Sequence, residues 1–414
     1  MYLSNQNDIW PKKNENIWLS MLSVIFFLSI WSIIILYKLY FESGHYQTVD
    51  GNNYFLLAHK IRNGQQFIID GITNGAGKPF SPYPPGFPLL LNIGISIENL
   101  TNTPAVFSLH LLLLAGLFLI WIQRKLPLFP IITVCFTDTF IELACNPWSE
   151  FSFIICLIVI TLIVSDLEFK GQLMFPLVIS ILLFILFLLR YAGIFILSFI
   201  LIKIWYNFKD KLVLNFWVRT GFWFCLMTAS WFLVEVHFFG QATGGDRYPN
   251  HQSYQVLGFD LLQGLFNQVL IFKDWSGSSF LSFSIGFFSN IIFLIWFLFS
   301  KKNSNVDKKN FKVLVSKNLI LIGACYFAFI VPLRWYFYFA EGFDLRLLGP
   351  GSILLFTGLM LTYFNRFQLK RSKLFIVLWI LLTSFLSLPK KEMYFKFQEK
   401  VWGNTSTVFP QSSQ

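Results

Sequence analysis

Apolar blocks of roughly 16–22 residues recur along almost the whole chain, and each is long enough to cross a ~30 Å hydrocarbon layer as a helix. They cover 17–36, 104–122, 126–147, 151–165, 173–189, 191–206, 213–235, 279–300, 318–339, 347–364 and 374–388. Lipid offers no hydrogen-bond partners, so a spanning segment must satisfy its own backbone, which favours helix. The expectation is an all-α, polytopic integral membrane protein with about eleven transmembrane helices. Only 13% of residues are charged, against about a quarter in soluble domains, which argues against a water-soluble enzyme. The even spread of the blocks predicts one membrane unit over 1–388 and a short tail over 389–414.

Charge gives this unit a direction. Lys12 and Lys13 precede the first block, which is too long for a signal-peptide core and reads as an anchor with its N-terminus inside. Alternating the spans from there puts nineteen of the 32 basic residues in inner loops, with only six of the 21 acidic ones. This is the asymmetry of the positive-inside rule. The net charge of +11 is therefore dispersed among loops, and no nucleic-acid partner is expected. The pattern holds only if the short apolar segment 86–98, which contains Pro88 and Gly94, lies at the outer interface rather than across the membrane. The five cysteines (135, 145, 156, 225, 325) all fall in apolar blocks without metal-ligand spacing and read as small buried hydrophobes.

The stretch 41–103 is the one long polar-to-mixed segment of the N-terminal half, and becomes the first outer loop. Within it, Tyr54, Leu57, Ala58 and Ile61 recur at helical spacing, which predicts an amphipathic interfacial helix stopped by Gly64. Asp50 stands just before that helix, where a carboxylate is expected to cap backbone N–H groups. Pro82, Pro84, Pro85 and Pro88 predict an extended path after it.

An Asp after the first span, a Tyr four residues later, and the run Pro84-Pro85-Gly86-Phe87-Pro88-Leu89-Leu90-Leu91 resemble the GT-C superfamily of membrane glycosyltransferases. Within that superfamily the pattern resembles the protein O-mannosyltransferases and the aminoarabinose transferase of lipid A. Four later segments fit the same order: Asn146-Pro147-Trp148-Ser149-Glu150, Leu189-Arg190-Tyr191-Ala192-Gly193, Gly244-Gly245-Asp246-Arg247-Tyr248-Pro249, and Asp344-Leu345-Arg346-Leu347-Leu348-Gly349-Pro350. The chain departs from the pattern at Gly51, where many relatives carry a second acidic residue.

The resemblance implies a polyprenyl-phosphate sugar as donor and transfer, with inversion, to an extracytoplasmic acceptor hydroxyl on a protein, lipid or glycan. It implies Asp50 as base and Glu150 as a second catalytic carboxylate. Arg190, Arg346 and Arg247 become candidate ligands of the donor phosphate, whose geometry suits a planar guanidinium fork. Tyr54, Tyr83 and Trp148 become candidate substrate contacts. No cofactor is required; a divalent cation between two carboxylates is compatible with the pattern, though no ligand spacing demands one.

Two rival classes follow from other residues. Asp138 and Glu142 share a helical face inside an apolar block, and intramembrane acids mark ion paths as readily as active sites. They support a secondary transporter or lipid flippase. A non-catalytic subunit that binds a lipid-linked glycan is the third. His45 and His59 flank Asp50 and read as interfacial polar residues.

Overall fold

The computed structural model describes residues 17–41, 48–69, 82–171, 175–240, 249–269, 310–338 and 342–364. These residues are helical, with no strand among them; one isolated bridge pairs Pro249 with Phe337. The helices are α1 (Ile17–Phe41), α2 (Val49–Arg62), α3 (Gly86–Thr101), α4 (Ala105–Gln123), α5 (Leu128–Cys135), α6 (Asp138–Cys145) and α7 (Ser149–Lys170). After them come α8 (Pro176–Leu189), a 3-10 turn (Tyr191–Phe195), α9 (Ile196–Tyr206), α10 (Lys211–Phe239), α11 (Tyr254–Val269), α12 (Phe311–Tyr336) and α13 (Leu345–Phe364).

Six of these, α1, α4, α7, α10, α12 and α13, are long and apolar enough to cross a membrane. The expected span over 126–147 is instead two short helices, α5 and α6, bent by 64°. The bend has a local cause. The Thr137 hydroxyl accepts the Phe140 N–H, so α6 begins as a fresh, side-chain-capped helix with Asp138 in its first turn. Counted as one broken span, the pair raises the number to seven. The blocks at 173–189 and 191–206 form shorter apolar helices, and those at 279–300 and 374–388 lie outside the described residues, as does the 389–414 tail. Of the eleven expected spans, the described residues thus contain six, or seven with the broken pair.

One continuous core joins the bundle, with Trp31, Trp121 and Trp217 fully buried. By contrast, α1 exposes Trp18, Leu22, Phe26 and Ile33, and α10 exposes Phe222, Leu226, Leu233 and Phe238. Apolar surface of that extent suits a lipid neighbour rather than water. Cys135, Cys145 and Cys325 are buried as expected, but Cys225 faces outward on α10.

Helices α12 and α13 meet at close range through small residues. A side chain on Gly323 would press on Leu355 and the Gly351 carbonyl, and the Ser316 hydroxyl donates to the Gly358 carbonyl at 2.6 Å. Such stripes let helix backbones approach where no hydrophobic effect drives association. The start of α13 is thereby held in the bundle.

The predicted extended path through the prolines is corrected at its end. Pro82, Pro84 and Pro85 do precede helix, but α3 begins at Gly86 and includes Pro88 in its first turn, where a missing N–H leaves no helical bond unmade. A side chain on Gly86 would strike the Leu188 carbonyl at the close of α8, and one on Gly94 would strike the Ala105 carbonyl at the opening of α4. His110, one turn into α4, contacts the Ala144 carbonyl and the Phe151 ring, so the opening of α4 lies with the opening of α7. Both contacts of α3 therefore fall at one end of the bundle, and α3 runs along that end.

Candidate functional site

That same end gathers the start of α7, the close of α8, the start of α13 and helix α2. Helix α2 covers Val49–Arg62, with Tyr54, Leu57 and Ala58 buried, as its spacing predicted, and Gly64 beyond it takes a φ of 65°. Its cap differs from expectation. Thr48, not Asp50, is the N-cap; its hydroxyl accepts the Gly51 N–H at 3.1 Å and the Trp148 indole N–H at 3.0 Å. Asp50 is the second residue of the helix, in the first turn, where the helix dipole still favours a carboxylate. Its side chain is thus available for other partners.

Gly51 explains how α2 reaches the rest of the site. A Cβ there would overlap the Pro147 ring and lie 3.0 Å from the Thr48 hydroxyl. The absence of a side chain lets α2 rest directly on the link between α6 and α7. A second acidic residue at this position would be excluded by Pro147.

Four segments distant in sequence then meet. Arg346 Nη1 pairs with Asp50 Oδ2 at 2.6 Å, and its Nε pairs with Glu150 Oε1 at 3.2 Å. Arg190 Nη2 reaches the same Glu150 oxygen at 3.1 Å, while its Nη1 donates to the Arg346 carbonyl at 3.0 Å. The Arg346 guanidinium lies over the Trp148 ring at 4.7 Å, a cation–π contact. Tyr83 donates its hydroxyl to Asp50 Oδ1 at 2.5 Å, and the Asn53 amide donates to Tyr83 at 3.3 Å. The Tyr54 ring packs against that of Tyr83 at a tilt of 55°, with ring centres 4.7 Å apart, and its hydroxyl donates to the Ser149 hydroxyl at 3.4 Å. Seven of the eight residues expected at the site (Asp50, Tyr54, Tyr83, Trp148, Glu150, Arg190, Arg346) therefore form one connected network. Arg247 lies outside the described residues.

The network is graded from solvent to core. The Asp50 side chain keeps 27% of its accessible surface and that of Arg346 13%, whereas Glu150 keeps 1%. Glu150 Oε2 has no hydrogen-bond partner among the described residues. Burial pushes the Tyr54 phenol well above its usual range, reinforced by the nearby Glu150 charge. Burial does the same to Tyr83, helped by its bond to Asp50. Both hydroxyls therefore remain protonated donors at neutral pH. Burial also raises the Asp344 carboxyl, opposed by the Leu347 and Arg346 N–H groups that it caps at the start of α13.

Protein-family models, curated proteins and solved structures all return no match to this chain.

The other candidates separate from this cluster. Glu142 is paired with Lys38 of α1 at 2.8 Å, both side chains almost fully buried, so its carboxylate ties α1 to α6. Asp138 is buried one turn earlier on the same helix. His59 is exposed on α2, and His45 lies outside the described residues. For a divalent cation, the arrangement of Asp50 and Glu150 is a poor fit, because the Arg346 guanidinium already bridges the two carboxylates. Among the described residues no three His, Cys, Asp or Glu side chains come together as a metal site.

Sequence reasoning missed Lys38, Thr48 and Asn53. Lys38 was legible as a lone cation near the end of an apolar block. Asn53 stands three residues from Asp50 and so shares its helix face. Thr48 is an ordinary capping residue type, overlooked because Asp50 offered the same chemistry. Arg334 was also missed. It is buried in α12, its Nη2 donates to Gln252 at 3.1 Å, and its carbonyl accepts from the Asn250 amide, which fastens the segment after Pro249 to the bundle.

Proposed function

We propose that this chain is a membrane glycosyltransferase of the GT-C type, which moves a sugar from a polyprenyl-phosphate carrier to an acceptor hydroxyl on the extracytoplasmic side. One observation supports this reading above the others. A carboxylate, a second carboxylate and two arginines from four separate segments, each chosen for its place in an ordered motif pattern, sit within direct bonding distance of one another. The chemistry needs such a set: a base for the acceptor proton and cations for the departing phosphate.

In the proposed reaction the acceptor oxygen forms a bond to the anomeric carbon as the bond from that carbon to the phosphate oxygen breaks. Asp50 takes the hydroxyl proton. The electron pair of the broken bond leaves on the polyprenyl phosphate, whose charge Arg346 stabilises. Attack from the face opposite the phosphate inverts the anomeric centre. Glu150 fixes the guanidinium of Arg346 through Nε, and Arg190 fixes both Glu150 and the Arg346 backbone. With both terminal nitrogens engaged inside the protein, Arg190 acts as a positioning residue rather than as a phosphate ligand. Tyr54, Tyr83 and Trp148 line the approach. The apolar faces of the bundle suit the isoprenoid chain and surrounding membrane lipid.

Incubation of the purified protein with a panel of polyprenyl-phosphate sugars, followed by mass analysis of released polyprenyl phosphate, tests the reading. Sugar-dependent release is expected. No release from any donor, alone or with acceptor extracts, together with substrate flux in proteoliposomes that depends on Asp138 and Glu142, would give the transporter class its place.

A further inference from the structure

We propose that Asp50 and the donor phosphate compete for one arm of Arg346, so that donor binding is the event that releases the base. The inference rests on the proposed function and adds to it a control of the order of binding. The starting point is that each Asp50 oxygen is engaged. Oδ2 takes the Arg346 Nη1 bond at 2.6 Å, and Oδ1 takes the Tyr83 hydroxyl at 2.5 Å. Both carboxylate oxygens are thus already occupied by donors from the protein. While the pair is closed, the base is held back.

The surroundings make this the bond that gives way. Arg346 is fixed from below and from the side: Nε on the buried Glu150, the guanidinium face on Trp148, and the backbone carbonyl on Arg190. Its bond to Asp50 is the outermost in the network, on the more exposed partner. A phosphate is a natural rival for Nη1, because it offers the same acceptor geometry as a carboxylate, with more charge. Displaced from Arg346, Asp50 still has Tyr83 and the Asn53 behind it, so it turns toward the acceptor instead of leaving the site. The base is thus uncovered only when a lipid phosphate is in place, and acceptor deprotonation follows donor binding.

The test measures binding of a long-chain polyprenyl monophosphate, which carries no sugar, to the full-length protein in nanodiscs of neutral lipid. Inorganic phosphate in a parallel arm separates the head group from the chain. Competition predicts that Asp50→Asn binds the polyprenyl monophosphate about tenfold more tightly than the wild type, because a charged rival has been removed from Nη1. Arg346→Gln abolishes binding. Asp344→Asn serves as the charge control. It removes a nearby negative charge whose oxygen accepts backbone N–H groups and keeps a capping side chain, so its effect stays below about threefold. Thermal unfolding of each variant confirms that it is folded.

Unchanged or weaker binding by folded Asp50→Asn, with dependence on Arg346 intact, overturns the competition and leaves the phosphate site standing. Equal tightening by Asp344→Asn overturns it also, since the effect would then be general charge. Equal binding by the wild type and Arg346→Gln removes the phosphate site itself, and the competition with it. Inorganic phosphate follows the same ranking at lower affinity if the head group competes; a ranking confined to the chain contradicts the mechanism.

Discussion

Replacing Glu150 by Gln tests whether the network is held by charge or only by shape. Glu150 Oε1 stands 3.1 Å from Arg190 and 3.2 Å from Arg346, with the side chain 1% exposed. At an effective dielectric of about 20, two unit charges about 4 Å apart attract by roughly 4 kcal/mol. Gln keeps an oxygen that accepts hydrogen bonds, but leaves two guanidinium groups facing each other without an anion between them. Removal of one partner from a buried ion pair typically costs about 3–5 kcal/mol, and we expect about 3 kcal/mol here because the hydrogen bonds persist. The buried thiols of Cys135, Cys145 and Cys325 provide the assay, as a thiol-reactive dye reports their exposure on heating. Glu150→Gln should lower the midpoint by several degrees. Arg346 keeps the Asp50 carboxylate while Arg190 loses its own, so adding Arg190→Gln removes the uncompensated cation, and the double variant should be less destabilised than the sum of the singles by at least about 1 kcal/mol. Strict additivity, or a Glu150→Gln midpoint equal to that of the wild type, would refute the argument.

Other changes probe the approach of α2 and the separation of the two acidic groups. Gly51→Ala should push α2 from Pro147 and destabilise the fold by about 1–3 kcal/mol, read by the same dye assay; an unchanged midpoint would show that the contact yields freely. Tyr83→Phe should slow sugar transfer by about tenfold with little loss of stability, because it removes one charged hydrogen bond to Asp50 worth roughly 1.5 kcal/mol or more. Lys38→Met leaves Glu142 buried without its cation and should destabilise strongly, while Lys38→Met combined with Glu142→Leu should recover most of that loss and retain sugar transfer. Loss of transfer in a stable double variant would move the function toward the Lys38–Glu142 pair.

Much of this site was legible in the sequence because its residues fall at helix ends and in loops, where polar side chains interrupt apolar blocks. Glu150 opens a helix, Arg190 closes one, and Arg346 opens another. Helix α2 announced itself by its 3.6-residue periodicity. The break between α5 and α6 did not, because a continuous apolar run gives no sign of a bend except Thr137 acting as a cap. Helix α3 was obscured by its prolines, three of which do precede the helix while the fourth sits in a first turn that tolerates it. Pairings such as Lys38 with Glu142 depend on which helices become neighbours, and spacing along one helix contains no such information. Gly51 read as a departure from a motif; only the Pro147 ring beside it gives the reason.

The Thr48 cap also sharpens the decisive substitution, since Asp50→Asn leaves the helix cap untouched. Transfer by the purified protein, with its preferred polyprenyl-phosphate sugar and acceptor, should fall by about 10²–10⁴-fold in Asp50→Asn, the range for loss of a general base, with stability within about 1 kcal/mol of the wild type. Transfer by Asp50→Asn at the wild-type rate would contradict the assignment of the base and the account built on it.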